Sequence, residues 1–179
     1  KGWYLTGGPD GEPLGSVQML GRVTGPILAA ESGMPLPVAR WLADHSVHLM
    51  TMSEDLPMPE SRVMLRDGQI VLKWERSNWR AHLALNARLK AALRRAGWPV
   101  VLTKTFEKRT PSHQCGTARM GNDPATSVVD PFCRSHDVEN LFIVDASVLP
   151  TSAAANPSLT IAALALRTAR HITQTEFAA

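Results

Sequence analysis

The chain has 179 residues, 44% of them apolar, which is enough for a folded core and too much for a disordered arm. Nineteen Lys and Arg against sixteen Asp and Glu leave a net charge of only +3, and the basic residues are scattered, as at Arg88, Lys90, Arg94 and Arg95, so no nucleic-acid footprint follows. No apolar run approaches the roughly eighteen residues of a membrane span, and the opening Lys1-Gly2-Trp3-Tyr4 has neither a secretory layout nor an initiator Met, which leads us to expect a chain cut from a longer one.

In chain order, Gly7-Gly8-Pro9-Asp10-Gly11 reads as a turn and Met34-Pro35-Leu36-Pro37 as a second break. Between and after them, Ser16 to Leu20 is expected as a short strand and Val38 to Asp44 as a short helix around Trp41. Val47 to Glu54 is expected to be extended, up to the break at Leu56-Pro57-Met58-Pro59. Arg62 to Leu65 and Gln69 to Trp74 flank Arg66-Asp67-Gly68, and Asp-Gly supplies the positive backbone angles that a tight hairpin needs.

Ser77 or Asn78 is expected to cap a helix running to Ala96. Leu85, Leu89 and Leu93 recur at spacing four, Arg94 and Arg95 stand at its negative end and Gly97 terminates it. Val100 to Phe106 reads as a strand, followed by a long polar loop from Glu107 to Val128, and loops of that length usually carry function. Asn140 to Asp145 reads as a short buried strand, Ala146 to Ala155 as irregular, and Pro157 to about Thr173 as a second long helix. Strand, loop and helix in that order can set a ligand beside a helix N-terminus.

Two features point to chemistry. Asn156-Pro157-Ser158-Leu159-Thr160 has the preferred start of a helix, with Asn as cap and Pro in the first turn, so the amides of Ser158 and Leu159 face outward at its positive end. His113-Gln114-Cys115-Gly116-Thr117-Ala118-Arg119-Met120-Gly121 sets an imidazole in a glycine-containing loop, and an imidazole can act as general base near neutral pH. Taken alone, each has an ordinary structural reading, a plain capped helix and a surface histidine; five other histidines stand at His45, His48, His82, His136 and His171.

A competing constellation uses His113, Cys115, Cys133 and His136, two imidazoles and two thiols that form the donor set of a tetrahedral zinc site in a structural or binding module. The first pair, with one intervening residue, is tighter than the usual spacing, and the cysteines also suit small buried apolar positions. They could form one bridge or none, and neither outcome fixes the compartment. A binding domain with neither metal nor cofactor is the third reading.

His113 to Gly121, Ser127-Val-Val-Asp130, Asn140-Leu-Phe-Ile-Val-Asp145-Ala146-Ser147, then Pro150 and Asn156-Pro-Ser-Leu-Thr160 followed by Ala162 to Arg170, resemble in order and spacing the closing motifs of the glucose-methanol-choline (GMC) oxidoreductases. The resemblance covers about residues 111 to 174. It implies an FAD enzyme that oxidises an alcohol, with hydride passing to the flavin and the hydroxyl proton to His113. Asn156 matches the second active-site position, His in some members and Asn in others, and its amide would orient the substrate oxygen. Asp145 and Ala146 match contacts to the ribityl and diphosphate part of the cofactor. Asn156, Pro157 and Ser158 would set the helix N-terminus against the flavin's pyrimidine edge, where negative charge accumulates on reduction.

The resemblance also implies an α+β fold: an antiparallel sheet with flanking helices over residues 1–118, the substrate-binding domain, and residues 119–179 as the strand and helix that complete the FAD-binding domain. The family's opening GxGxxG turn is not found, since Gly7, Gly8 and Gly11 are wrongly spaced and no helical period follows them. This stretch alone is therefore not expected to hold FAD tightly or to be active. The expected partners are a small-molecule alcohol and an electron acceptor, with self-association through Ala162 to Leu166 and Ile172 where the last helix lies exposed. Polyol, sugar, sterol, choline-like and aromatic alcohols all stay open, as does the choice between oxidase and dehydrogenase.

Overall fold

The computed structural model describes residues 2–8, 11, 13–105 and 112–177. The described residues form an α+β structure of two small antiparallel sheets and four α-helices. They divide into two compact units, one of residues 1–53 and 80–99, the other of residues 54–79 and 100–179.

In the first unit, β1 (Gly2–Leu5), β2 (Gly15–Met19) and β3 (Leu49–Met52) form an antiparallel sheet in that order, with Val17 opposite Trp3 on one side and Thr51 on the other. β2 and β3 lie where extended segments are expected; β1 is additional. Gly15 takes a φ of 131°, and a Cβ there would stand 2.0 Å from the Met52 carbonyl oxygen, so the β2–β3 approach excludes any side chain at this position. The helix α1 (Gly25–Ser32) has no counterpart in the sequence reading; it begins with a proline in its first turn. The helix α2 (Leu36–Asp44) starts two residues before the expected position.

In the helix α3 (Trp79–Arg95), Leu85 of the expected spacing is buried and Leu89 packs beside it, Ala81 one turn earlier is also buried, and Leu93 is only half-buried. With Leu14 and Val17, Ala81 and Leu85 form the core of this unit, where burying a Leu or Val side chain contributes roughly 1.5–3 kcal/mol. Gly97, with φ of 92°, ends the helix as expected, and the amide of Trp98 donates to the Leu93 carbonyl at 3.0 Å.

In the second unit, β4 (Arg62–Arg66) and β5 (Gln69–Lys73) form the expected hairpin. Its two loop residues, Asp67 and Gly68, have φ of 51° and 73°, the pair of positive angles that matches the strand twist. The hairpin is a separate ribbon and does not extend the first sheet.

Two expected strands are not formed. Residues 100–105 take no regular structure, because no strand among the described residues pairs with them and Val100 and Leu102 lie exposed; Phe106, the last residue of that expected strand, is outside the described residues. Asn140 to Asp145 makes only an isolated bridge, Arg134 to Phe142. Its apolar run is half satisfied by packing, since Ile143 joins the core while Leu141 and Val144 face out. Residues 112–128 of the expected long loop are indeed irregular, and 107–111 lie outside the described residues, as do Pro9 and Asp10 of the first turn.

One 3₁₀ turn, Ala146–Val148, and the helix α4 (Ser158–Glu176) complete this unit. Val129, Cys133 and Val148 are fully buried at its centre, with Met120, Ile143 and Leu164 packed on them. Thr168 of α4 donates its hydroxyl to the Phe132 carbonyl at 3.2 Å, and the rings of Phe132 and His171 stack at 4.1 Å. The core therefore ties α4 to the loops that carry the motifs.

Candidate functional site

The motif residues are gathered by main-chain bonds rather than by a sheet. The amide of Ala118 donates to the Ser147 carbonyl at 3.0 Å and that of Met120 to Val148 at 2.9 Å. The Ser152 hydroxyl donates to the His113 carbonyl at 3.1 Å. The His113 loop thus lies against the segment that runs on to Asn156, and the burial of Met120 beside Val148 anchors it there.

His113 is half-buried and has a φ of 58°, in the left-handed region that costs a non-glycine residue about 1–2 kcal/mol. Its carbonyl accepts two donors, the Ser152 hydroxyl and, at 3.2 Å, the Cys115 thiol. Ser152 is fixed in turn by reciprocal main-chain bonds with Asp55, 2.8 Å from the Asp55 amide and 3.2 Å to its carbonyl. Thr151 donates its hydroxyl to the Glu54 carboxylate at 2.9 Å. Asn78 donates to the Glu54 carbonyl at 2.9 Å, and Ser77 donates its hydroxyl to the Asp55 carboxylate while accepting from the Leu56 amide at 2.7 Å. The residues expected to cap α3 thereby hold the 54–56 strip.

This layer of Glu54, Asp55, Thr151 and Ser152 is absent from the sequence reading. Pairs so far apart along the chain leave no local pattern, and Thr151 and Ser152 read as ordinary small residues after Pro150. The Cys115 thiol lies within it: burial pushes its pKa up, the Ser152 hydroxyl works against that, and the Asp55 charge adds to the rise.

Asn156 is exposed and does not cap α4, contrary to expectation. The helix begins at Ser158, Pro157 occupies the cap position with helical angles, and among the described residues no side-chain capping bond is made there. Proline's fixed φ already suits the helix, so the boundary moves by one residue and the Asn156 amide is not committed. Ser158 and Leu159 are exposed at this uncapped end, whose free amides carry the positive pole of the helix dipole.

Asp145 is exposed and starts the 3₁₀ turn: its carboxylate accepts from the Ser147 amide at 2.8 Å. The Ser147 hydroxyl first, and its amide second, hold the Asp145 pKa below the ordinary carboxylate value. The carboxylate retains further acceptor positions. Ala146 is half-buried, and its carbonyl accepts from the Leu149 amide at 3.1 Å.

The four donors of the zinc reading are engaged separately. Cys133 is fully buried in the apolar core. His136 places Nε2 3.0 Å from the Ser127 hydroxyl and 3.1 Å from the Gly121 carbonyl. Cys115 turns its thiol to the His113 carbonyl. Among the described residues no three His, Cys, Asp or Glu side chains are grouped to hold a metal, so a zinc-stabilised module is not what these residues build. No helix among them is long and apolar enough to cross a membrane.

A family model described as GMC oxidoreductase matches residues 59–165, more than half of the chain. The chain belongs to the GMC oxidoreductase family. Among its GMC relatives, 6'''-hydroxyparomomycin C oxidase of Streptomyces lividus is 54% identical over 61 residues, 34% of this chain and 11% of that protein. 2-Methyl-1,2-propanediol dehydrogenase of Mycolicibacterium austroafricanum is 48% identical over 62 residues, 35% of this chain and 11% of that protein. The large subunit of fructose dehydrogenase from Gluconobacter japonicus is 33% identical over 137 residues, 70% of this chain and 25% of that protein. The chain thus spans between about a tenth and a quarter of the length of these relatives. GMC oxidoreductases are in general FAD-dependent.

Proposed function

We propose that the protein carrying this chain is an FAD-dependent oxidoreductase that oxidises the CH–OH group of a small alcohol, with His113 as general base and Asn156 orienting the substrate oxygen. The observation that carries this reading is the hydrogen-bonded contact of the 113–120 loop with the 147–152 segment, which joins the first family motif to the stretch leading to the last.

The residues suit a flavin. The uncapped first turn of α4, with Asn156 and Ser158 exposed beside it, offers N–H donors and a positive dipole end to an electron-rich ring edge. Asp145, Ala146 and Pro157 complete the set that would hold the cofactor. FAD, when bound, would supply the acceptor for the hydride leaving the alcohol carbon. His113 removes the hydroxyl proton, so the developing alkoxide can release that hydride, and the uncommitted Asn156 amide donates to the same oxygen.

In this reading residues 1–118 belong to the substrate-binding domain and residues 119–179 complete the FAD-binding domain. The partners are the alcohol and an electron acceptor. A second copy of the chain, meeting through the Ala162 to Leu166 and Ile172 face apart from Leu164, which packs on the core, is a further partner, and sedimentation at several concentrations would detect it. The relatives' names include an oxidase and two dehydrogenases, so oxygen consumption measured against an artificial acceptor decides between those modes.

The test is anaerobic mixing of the full-length flavoprotein with a panel of alcohols that includes fructose and 2-methyl-1,2-propanediol. Bleaching of the flavin by one of them, slowed roughly a hundredfold or more in His113→Ala, is the expected result for loss of a general base. Equal bleaching in the two proteins would remove His113 from the role.

A further inference from the structure

Ser152 belongs to none of the motifs that carry the family resemblance, yet its side chain reaches the backbone of the candidate base from 39 residues away. We infer that Ser152 is a positioning residue for His113, fixing the direction of the His113 carbonyl and with it the orientation from which the imidazole leaves the chain. The inference rests on the proposal that His113 takes the substrate proton.

A histidine at φ of 58° occupies a narrow backbone well, and β-region conformations are lower in energy for it. Relaxation into that region would swing the Cα–Cβ bond and carry the imidazole away. The Ser152 hydroxyl opposes this by holding the carbonyl at 3.1 Å, and it can do so because Ser152 itself does not drift: both its main-chain groups are bonded to Asp55, whose carboxylate accepts from Ser77. The Cys115 thiol reaches the same carbonyl at 3.2 Å, but a thiol is a weak donor and does not replace a hydroxyl. Misplacement of a reacting group by an ångström can slow a reaction a hundredfold.

Ser152→Ala removes the hydroxyl and leaves the main-chain bridge to Asp55, so the fold and the flavin content are expected to persist. In the full-length holoprotein, reduction of the flavin by fructose or 2-methyl-1,2-propanediol, whichever bleaches the parent, is expected to slow by about tenfold in Ser152→Ala and to return to within about twofold in Ser152→Thr. In a His113→Ala background, Ser152→Ala is expected to add less than about twofold, because a residue acting through His113 has nothing left to position. A second readout needs no substrate. In protein labelled with carbon-13 at histidine Cε1, the His113 resonance, identified by its loss in His113→Ala, should shift or broaden in Ser152→Ala and return in Ser152→Thr. Should Ser152→Ala not fold, Ser152→Cys supplies the weak donor and is expected to show the same direction of change.

An unmoved His113 resonance would overturn the inference, as would an equal slowing by Ser152→Ala in both backgrounds. If His113→Ala reduces its flavin as fast as the parent, the base assignment fails, and the role of Ser152 in catalysis fails with it. If His113→Ala is slow while Ser152→Ala matches the parent, only the positioning role fails.

Discussion

The amide of Met120 donates to the carbonyl of Val148 at 2.9 Å, and the two side chains meet in the same buried cluster. Through this contact the loop that begins at His113 and the segment that ends at Asn156 share one support. Val148 is completely buried, so Val148→Ala should destabilise this unit by about 1–3 kcal/mol, a loss between those of Ile→Val and Leu→Ala changes in cores. Denaturant unfolding would measure it, and an unchanged midpoint would mean that the loops do not depend on this core.

Asn156→Ala separates catalysis from helix stability. An Asn that capped α4 would cost about 1 kcal/mol on removal, but among the described residues this helix has no side-chain capping bond. The substitution should therefore leave the melting temperature nearly unchanged, as surface changes within about 0.5 kcal/mol do, while slowing flavin reduction in the full-length enzyme. A large fall in melting temperature would restore the capping role.

The hairpin and α3 show how much of this fold can be read from the sequence and why. Asp67-Gly68 and the Leu85, Leu89 spacing are local patterns, and local patterns suffice where the residues that signal an element also stabilise it; Leu93 of the same expected stripe is not in that core cluster. Val100 to Phe106 and Asn140 to Asp145 have apolar runs of strand type. A strand, however, also needs a neighbour, and among the described residues none pairs with 100–105, while a single bridge serves 140–145. α1 hides behind the glycine and proline at its start. At the site, the order of the motifs marks His113 and Asn156, whereas the Ser152 bond and the Glu54–Asp55 strip arise from contacts 39 and 97 residues apart along the chain, which no spacing rule reports.

Asp145 should leave a small acid limb in the stability profile. Its folded pKa lies below the ordinary value because the Ser147 hydroxyl, and after it the Ser147 amide, bonds its carboxylate. Its contribution is therefore complete above the unfolded value of about 4 and disappears as the pH falls through the folded one. Asp145→Asn keeps an acceptor at the turn but not the charge. The difference in melting temperature between parent and variant should be constant above about pH 5 and shrink below about pH 4. A difference that grows with acidity would contradict this sign. The residue is exposed, so solvent screening keeps the effect small.

Cys115 should alkylate slowly at pH 8, and its rate should continue to climb beyond the range where an ordinary thiol, with pKa near 8.5, has levelled. Burial is the main cause of this raised pKa. Peptide mapping after iodoacetamide treatment distinguishes it from Cys133, which is fully buried and should react more slowly still. Rapid modification of Cys115 near neutral pH would show that its thiolate is stabilised rather than penalised.

The most direct test of the central claim is the anaerobic absorption spectrum of the full-length protein, parent beside His113→Ala, before and after addition of an alcohol that reduces the parent. Flavin bands are expected in both, bleached rapidly in the parent and at least about a hundredfold more slowly in the variant. Flavin bands that bleach equally fast in both, or no flavin in a correctly folded full-length protein, would contradict it.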